Sequence, residues 1–259
     1  MIPIALTIAG SDPSGGAGIQ ADLKTFHQFG VYGASVLTLL TVQNTCKVDA
    51  VETLAPGFVI AQLEAVLEDL APQASKTGAL GSGEIIEAIA ARAAKFPFPL
   101  VVDPVMISKH GAPLIQEEAR QCLVRKLLPR AYLVTPNVYE AMSLTGIECH
   151  SQTSLEKAAR AIAALGPRAV LIKGGHLAEN ATDLLYAGGC FHSFPARRIE
   201  TPHTHGTGCT YSAAITAMLA KGADLLQAVT VAKQYITRAI ETNPSLGHGF
   251  GPVNHFAPI

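Results

Sequence analysis

In His205-Gly206-Thr207-Gly208-Cys209-Thr210-Tyr211-Ser212-Ala213-Ala214 a glycine-rich turn runs straight into a small-residue helical stretch, with a cysteine at the junction. The first N–H groups of a helix have no carbonyl to meet, and the helix dipole adds positive potential there. Such a turn therefore suits a phosphate or another oxyanion. The same field lowers the pKa of a thiol placed in it, which makes Cys209 a candidate base or nucleophile. The combination points to phosphoryl transfer. A plain helix N-terminus fits the same residues taken alone.

Three other segments carry usable chemistry at the ends of apolar runs. Gly10-Ser11-Asp12-Pro13-Ser14-Gly15-Gly16-Ala17-Gly18 follows the first such run and opens a helix, the place where open α/β sheets bind ligands. It matches neither the dinucleotide G-x-G-x-x-G pattern nor the G-K-[ST] of a P-loop. Its glycines permit close approach of a ligand to the backbone, and Asp22, one turn into the helix, can orient a hydroxyl. Asp103-Pro104-Val105-Met106 and Thr135-Pro136-Asn137-Val138-Tyr139-Glu140 end two further runs. Asp103 with the Asn137/Glu140 pair offers hard oxygen ligands of the kind Mg²⁺ takes when phosphates complete its shell. An N-cap at Asn137 with Glu140 at N3 fits that pair equally. Lys173-Gly174-Gly175-His176 places a lysine beside glycines at a strand end, suited to phosphate oxygens.

These loops need a scaffold, and the rest of the chain supplies the pattern of one. Short apolar runs alternate with longer amphipathic ones, as in βαβ units around a sheet buried on both faces. Strands are expected at 4–9, 35–41, 74–77, 100–102, 132–134 and 169–172. Helices are expected at 18–29, 56–70, 83–95, 117–128, 138–145, 154–165, 210–221 and 225–242. Gly30 suits the residue after the first helix, and Ser154 suits a helix start. Residues 182–194, with Ala187-Gly188-Gly189 at the centre, read as a β-hairpin that gives the mostly parallel sheet an antiparallel edge. No linker, repeat or charge block divides residues 1–259, so one domain is expected.

Composition excludes several classes. The formal net charge is −1, without the basic field that nucleic acid or acidic membranes attract. The five cysteines are scattered with no C-x-x-C pair, as in reduced cytoplasmic proteins rather than disulfide or zinc frameworks. The N-terminal residues have no basic n-region, and the longest apolar stretch, around 31–42, is too interrupted to span a bilayer. A cytoplasmic location and no membrane partner are expected.

Taken together, residues 10–22, Asp103-Pro104-Val105-Met106, Thr135-Pro136-Asn137, Lys173-Gly174-Gly175-His176 and His205-Gly206-Thr207-Gly208-Cys209-Thr210 resemble the hydroxymethylpyrimidine (phosphate) kinases of thiamine biosynthesis, in the ribokinase-like superfamily. The likeness runs almost end to end, through Gly247-His248-Gly249-Phe250-Gly251-Pro252-Val253-Asn254-His255. It implies a three-layer α/β/α fold. It also implies phosphorylation of 4-amino-5-hydroxymethyl-2-methylpyrimidine and then of its monophosphate, with ATP and Mg²⁺, by a homodimer. By motif match Gln43 bonds the aminopyrimidine edge, with Val105 in the same substrate site. Asp22 and the Gly10 backbone face the hydroxymethyl end. Lys173 and the amides of Gly206, Thr207, Gly208 and Cys209 hold the transferring phosphate, with Asn137 on the nucleotide side. Asp103 and Glu140 organise Mg²⁺. Cys209 stands where most sugar kinases of the superfamily carry Asp. Relatives often show Lys-Ile-Gly-Met where this chain has Lys76-Thr77-Gly78-Ala79, which alters a wall of the pyrimidine pocket.

Two alternatives stand beside this reading: a pyridoxal kinase of the same superfamily, and a hydrolase using Cys209 with His203 or His205. If Cys209 removes a proton from an alcohol acceptor, Cys209→Ala depresses the alcohol-phosphorylating step far more than the phosphate-phosphorylating step, because an ionised phosphate has no comparable proton to lose. Steady-state kinetics on both acceptors measure this, and equal losses contradict the base assignment.

Overall fold

The computed structural model describes residues 2–107, 111, 114–174 and 181–259. The strands are β1 (Ile4–Ser11), β2 (Tyr32–Gln43), β3 (Val48–Thr53), β4 (Ala74–Thr77), β5 (Leu100–Val102), β6 (Leu133–Val134), β7 (Ala169–Ile172), β8 (Asp183–Ala187) and β9 (Cys190–Phe194). The helices are α1 (Gly18–Gln28), α2 (Pro56–Asp69), α3 (Gly83–Ala93), α4 (Glu117–Cys122), α5 (Val138–Thr145), α6 (Gln152–Ala163), α7 (Thr207–Ala220) and α8 (Leu225–Glu241). Among the described residues the strands form one sheet in the order β3-β2-β1-β4-β5-β6-β7-β8-β9. From β2 to β7 along that order every pairing is parallel. β3 at one edge and the β8–β9 hairpin at the other are antiparallel.

Successive side chains along a strand point to opposite faces, and here both faces are covered. Ala5, Val101, Leu133 and Leu171 pack with Phe26 of α1, Ala213 and Ala217 of α7 and Tyr235 of α8. Leu6, Ile8, Val102 and Val134 pack with Val59 and Leu63 of α2 and Ile85 and Ile89 of α3. A third cluster joins Val170 and Ile172 to Leu155, Ala159 and Ile162 of α6. α7 is buried along nearly its whole length, as expected of a helix apolar on all sides. The chain leaves β1 toward β2 on one side, while β4 later adds on the other. That switch in strand order opens a crevice above the carboxyl ends of β1 and β4.

The expected hairpin is present, with Gly188 and Gly189 both at positive φ (57° and 82°), the backbone a two-residue type I′ connection requires. Gly30 ends α1 at φ 69°. Other boundaries differ for local reasons. α6 starts at Gln152, because the Ser151 side chain takes the Ser154 N–H and the Ser154 hydroxyl answers the Ser151 N–H, a reciprocal cap. The expected 117–128 helix breaks after Cys122 into a wide turn at Leu123–Leu127 and a tight one at Leu128–Arg130, where Pro129 cannot supply a helical N–H. β3 was not expected: it is exposed except at Val48, so its apolar spacing carries no signal. Its pairing is set instead by the turn before it, where Asn44 Oδ1 accepts from Cys46 and Lys47 N–H at 2.8 and 3.1 Å.

Candidate active site

α7 begins at Thr207, three residues before the expected 210, so the glycine-rich turn is itself the first helical turn with Gly206 as N-cap. Gly206 is left-handed (φ 76°, ψ 7°), and a Cβ there would drive into the Gly16 carbonyl oxygen. Glycine alone lets the first loop and the start of α7 touch. Asp12 fixes the first loop. Its carboxylate accepts from Ser14 N–H at 2.9 Å, Ser14 Oγ at 2.7 Å, Gly16 N–H at 3.2 Å and Ala17 N–H at 2.9 Å. It also meets His205 Nε2 at 2.7 Å, both side chains being buried. Burial would raise the Asp12 carboxyl. The hydrogen bonds from His205 and Ser14, with the His205 charge, outweigh it and hold the pKa at about 2. Gln43 Nε2 lies 3.3 Å from the same His205 nitrogen, which places Gln43, at the end of β2, beside both loops.

The cluster around Gly208 is equally compact. A Cβ on Gly208 would lie 3.2 Å from Lys173 Nζ and 3.7 Å from Asp103 Oδ2, so this glycine lets a helix start lie against an ammonium. Lys173 Nζ donates to Asp103 Oδ1 at 2.9 Å. Thr135 and, from α7, Ser212 add hydroxyl donors to Asp103 at 3.2 and 3.3 Å. Lys173 stays charged: burial opposes the ammonium, but Asp103 and Glu140 raise its pKa. The first-turn amides of Gly208 and Cys209 have no helical carbonyl to meet. Thr207 does otherwise, turning back so that its N–H and hydroxyl both face Thr204 O at 3.3 and 2.8 Å. Gly175 and His176 lie outside the described residues.

Asn137 and Glu140 form a capping box: Glu140 N–H donates to Asn137 Oδ1 at 2.9 Å and Asn137 N–H to Glu140 Oε2 at 2.7 Å. That does not take Glu140 out of the cluster. Burial, with the Asp103 charge adding to it, lifts its carboxyl to about 7 against the pull of Lys173 and the Asn137 N–H. Asp103 and Glu140 therefore share one electrostatic environment with Lys173. Mg²⁺ needs only one or two carboxylates when phosphates supply the other oxygens, so the donor set fits that ion. A bound Mg²⁺ would neutralise phosphate charge there.

The pKa expectation for Cys209 is overturned. Although part of the residue reaches solvent, burial of the thiol, reinforced by the charges of Asp22 and Asp103, pushes it up to about 12 against Lys76 and the Gly18 N–H. Desolvation beside two carboxylates exceeds the helix field. Of the neighbouring histidines, His205 Nε2 is on Asp12, and His203 Nδ1 accepts from Gly251 N–H at 3.1 Å.

Asp22 is fully buried rather than solvated. Lys76 Nζ donates to both of its oxygens at 2.8 Å and Thr7 Oγ1 to one at 2.6 Å. Burial works against both charges and raises the Asp22 carboxyl, while pairing keeps Lys76 above the usual lysine range. Two donors making three hydrogen bonds to its two oxygens, one of them an ammonium, make the arrangement that of a carboxylate. Gly10 packs against Leu39, whose Cδ1 would be 2.5 Å from an added Cβ. Val105 lines a small cavity together with Asp103 and Gly78. Asp12, Lys76, Thr135, Ser212 and the ligating side of His205 were missed by sequence reasoning. Only the Asp12-Pro13-Ser14-Gly15 turn signal pointed at one of them.

A model described as phosphomethylpyrimidine kinase matches residues 12–254. The chain belongs to the phosphomethylpyrimidine kinase family. The hydroxymethylpyrimidine/phosphomethylpyrimidine kinase of Synechococcus elongatus is 48% identical over 260 residues, covering 100% of this chain and 99% of the relative. Among solved structures, the phosphomethylpyrimidine kinase of Clostridium difficile superposes with TM-score 0.82 at 47% identity, over 93% of this chain and 100% of the other. An ADP complex of Bacillus subtilis pyridoxal kinase superposes with TM-score 0.91 at 40% identity, over 99% and 98% of the two chains. The fold is thus the ribokinase-like α/β/α architecture. As a family member the chain is a kinase, and the loops gathered above β1, β4, β5, β6 and β7 are where its chemistry is to be sought.

The Asp12 clasp yields a stability test. Its folded pKa of about 2 lies below the ordinary 3.8. The stabilisation, about 2 kcal/mol, is therefore full above pH 3.8 and is lost as pH falls through 2. Asp12→Asn should lower the melting temperature at pH 7, and the gap to the parent should close as pH drops from about 4 to about 2. A gap that does not change with pH contradicts the assignment.

Proposed function

We propose that this kinase phosphorylates the hydroxymethyl group of 4-amino-5-hydroxymethyl-2-methylpyrimidine and then the resulting monophosphate, drawing both phosphoryl groups from ATP with Mg²⁺, in thiamine biosynthesis. The observation that carries the reading is the meeting of Gly208, Lys173 and Asp103 at the start of α7. An anion hole, a cation and a metal-binding carboxylate there occupy one point. The γ-phosphoryl sits on the Gly208 and Cys209 amides with Lys173 neutralising its oxygens, and Gly206 and Thr207 shape the turn. Asp103 and Glu140 hold Mg²⁺, and Asn137 lies on the nucleotide side. Across the crevice Gln43 and Val105 hold the ring, while Asp22 and the Gly10 backbone orient the hydroxymethyl group.

The acceptor oxygen attacks the γ-phosphorus as the bond from that phosphorus to the bridging oxygen breaks, releasing ADP, and the hydroxyl proton passes to the thiolate form of Cys209, the minor form at neutral pH. Such a transfer gains mainly from alignment and charge neutralisation. In the second step the acceptor is an ionised phosphate oxygen and no proton is moved. We also propose that residues 1–259 act as one domain, that the protein is cytoplasmic, and that it forms a homodimer. No described helix is long and apolar enough to cross a membrane. The β2–β3 arm leaves Leu40, Val42 and Val51 exposed, apolar surface of the kind subunit contacts cover.

Pyridoxal kinase activity is the second reading, favoured by the TM-score of 0.91 to an enzyme of that activity. Incubation with Mg·ATP and the hydroxymethylpyrimidine, its monophosphate or pyridoxal, with products identified by mass, separates the two. The expected products are pyrimidine mono- and diphosphate, and phosphorylation of pyridoxal alone contradicts the reading. With the thiol up at about 12, the thiolate fraction grows with pH across the neutral range. The alcohol step should therefore accelerate from pH 6 to 9 while the phosphate step does not follow.

A further inference from the structure

We propose that Lys76 is a positioning residue for the alcohol-phosphorylating step: its buried ammonium, set across the sheet from Thr7, holds the Asp22 carboxylate in one orientation beneath the acceptor hydroxyl. The inference rests on the kinase reading above and extends it to a lysine buried in the sheet. Thr7 and Lys76 are direct partners in the β1–β4 ladder, the two strands that flank the switch in strand order. Their side chains and Asp22 are fully buried on the face otherwise formed by Ala5, Ala74 and Phe26. Each Asp22 oxygen is 2.8 Å from Lys76 Nζ, and Thr7 Oγ1 is 2.6 Å from Oδ2. The carboxylate therefore has no freedom to turn.

Stability does not account for such a pair. Removing two charges from water costs more than placing apolar side chains of the same volume in the same space, so an ion pair in a core is weak evidence for a packing role. Its location argues for a role in the site. Gly78, two residues on from Lys76, lines the small cavity with Asp103 and Val105, and the charges of Lys76 and Asp22 act on Cys209 as well. Room around the ammonium is also restricted: a Cβ on Gly78 would lie 2.9 Å from Ala9 Cβ and 3.9 Å from Lys76 Nζ. On the donor side Lys173 pairs with Asp103, and on the acceptor side Lys76 pairs with Asp22, so each half of the site has its own cation. Without Lys76 the Asp22 carboxyl would lose two of its three hydrogen bonds. Burial would then favour its neutral, rotating form.

The test compares the parent with Lys76→Met, Lys76→Arg and Thr7→Val, the last removing one donor while keeping both charges. Mg·ATP binding by calorimetry counts folded nucleotide sites, and kcat and KM are measured per such site on the hydroxymethylpyrimidine and on its monophosphate. The expected result for Lys76→Met is a loss of about 100-fold in kcat on the alcohol, with ATP affinity and the phosphate step little changed. Lys76→Arg should recover part of that loss, and Thr7→Val should show a smaller loss of the same kind. A Lys76→Met protein that melts earlier but keeps the parent kcat per folded site shows a packing role and overturns the proposal. Should Lys76→Met fail to fold, Thr7→Val decides, and an unchanged alcohol kcat there overturns the proposal as well. The kinase reading is judged separately on the parent. If the parent phosphorylates only pyridoxal, that reading fails, and the same variant ratios taken on pyridoxal still judge Lys76.

Discussion

The Asp12 carboxylate and the His205 imidazole, 2.7 Å apart and both buried, join the loop after β1 to the start of α7. The rest of the site depends on that contact. Asp12 spends its other lone pairs on the backbone and hydroxyl of its own loop, so the loop is rigid where it meets His205. Gly206 then packs against Gly16 with no space for a side chain, and the first turn of α7 is aimed at Lys173. The C-terminal segment closes the arrangement from outside. Val253 N–H donates to His205 O and Phe250 N–H to Thr45 O at 3.3 and 2.8 Å, tying the strap both to α7 and to the turn after β2. The His255 ring meets Thr210 Oγ1 at 3.1 Å, and burial holds its pKa down at about 4.

Charge is distributed with the same economy. Two carboxylates and two lysines alternate beneath the crevice as Asp22–Lys76 and Asp103–Lys173. Within each pair the two charges answer each other. On the proposed reading, a nucleotide phosphate at Gly208 would compete with Asp103 for Lys173, while a divalent cation would compete with Lys173 for Asp103. Donor and metal together can therefore replace one internal pair by two external ones without leaving a buried charge alone.

The layered architecture was legible because apolar runs buried on both faces leave a plain pattern: β1, β4, β5 and β7 were expected within a residue or two of where they lie. β3 was invisible because an exposed edge strand needs no apolar alternation. The start of α7 was misplaced because glycine-rich residues read as a turn, although a left-handed Gly206 makes them the first turn of the helix. Within the site, the loops and their chemical types could be read in the chain, while the partnerships could not. The pairing of Asp22 could not be read because Lys76 is 54 residues away. Cys209 looked like an activated thiol because the helix field is local in sequence, whereas Asp22 and Asp103, which oppose it, come from other strands and helices. Asn137 and Glu140 form the cap that their spacing allowed, and the fold also brings Glu140 under the charge of Asp103.

The central claim is that the first turn of α7 is the γ-phosphoryl site and that Lys173 is released to it from Asp103. A crystal structure of the protein with Mg²⁺, ADP and aluminium fluoride, a planar mimic of the transferring phosphoryl group, tests this most directly. The account predicts the mimic within hydrogen-bond distance of the Gly208 and Cys209 amides, with Lys173 Nζ turned from Asp103 toward it and Asp103 facing the metal. A mimic bound away from α7, with the Lys173–Asp103 pair intact, would contradict it.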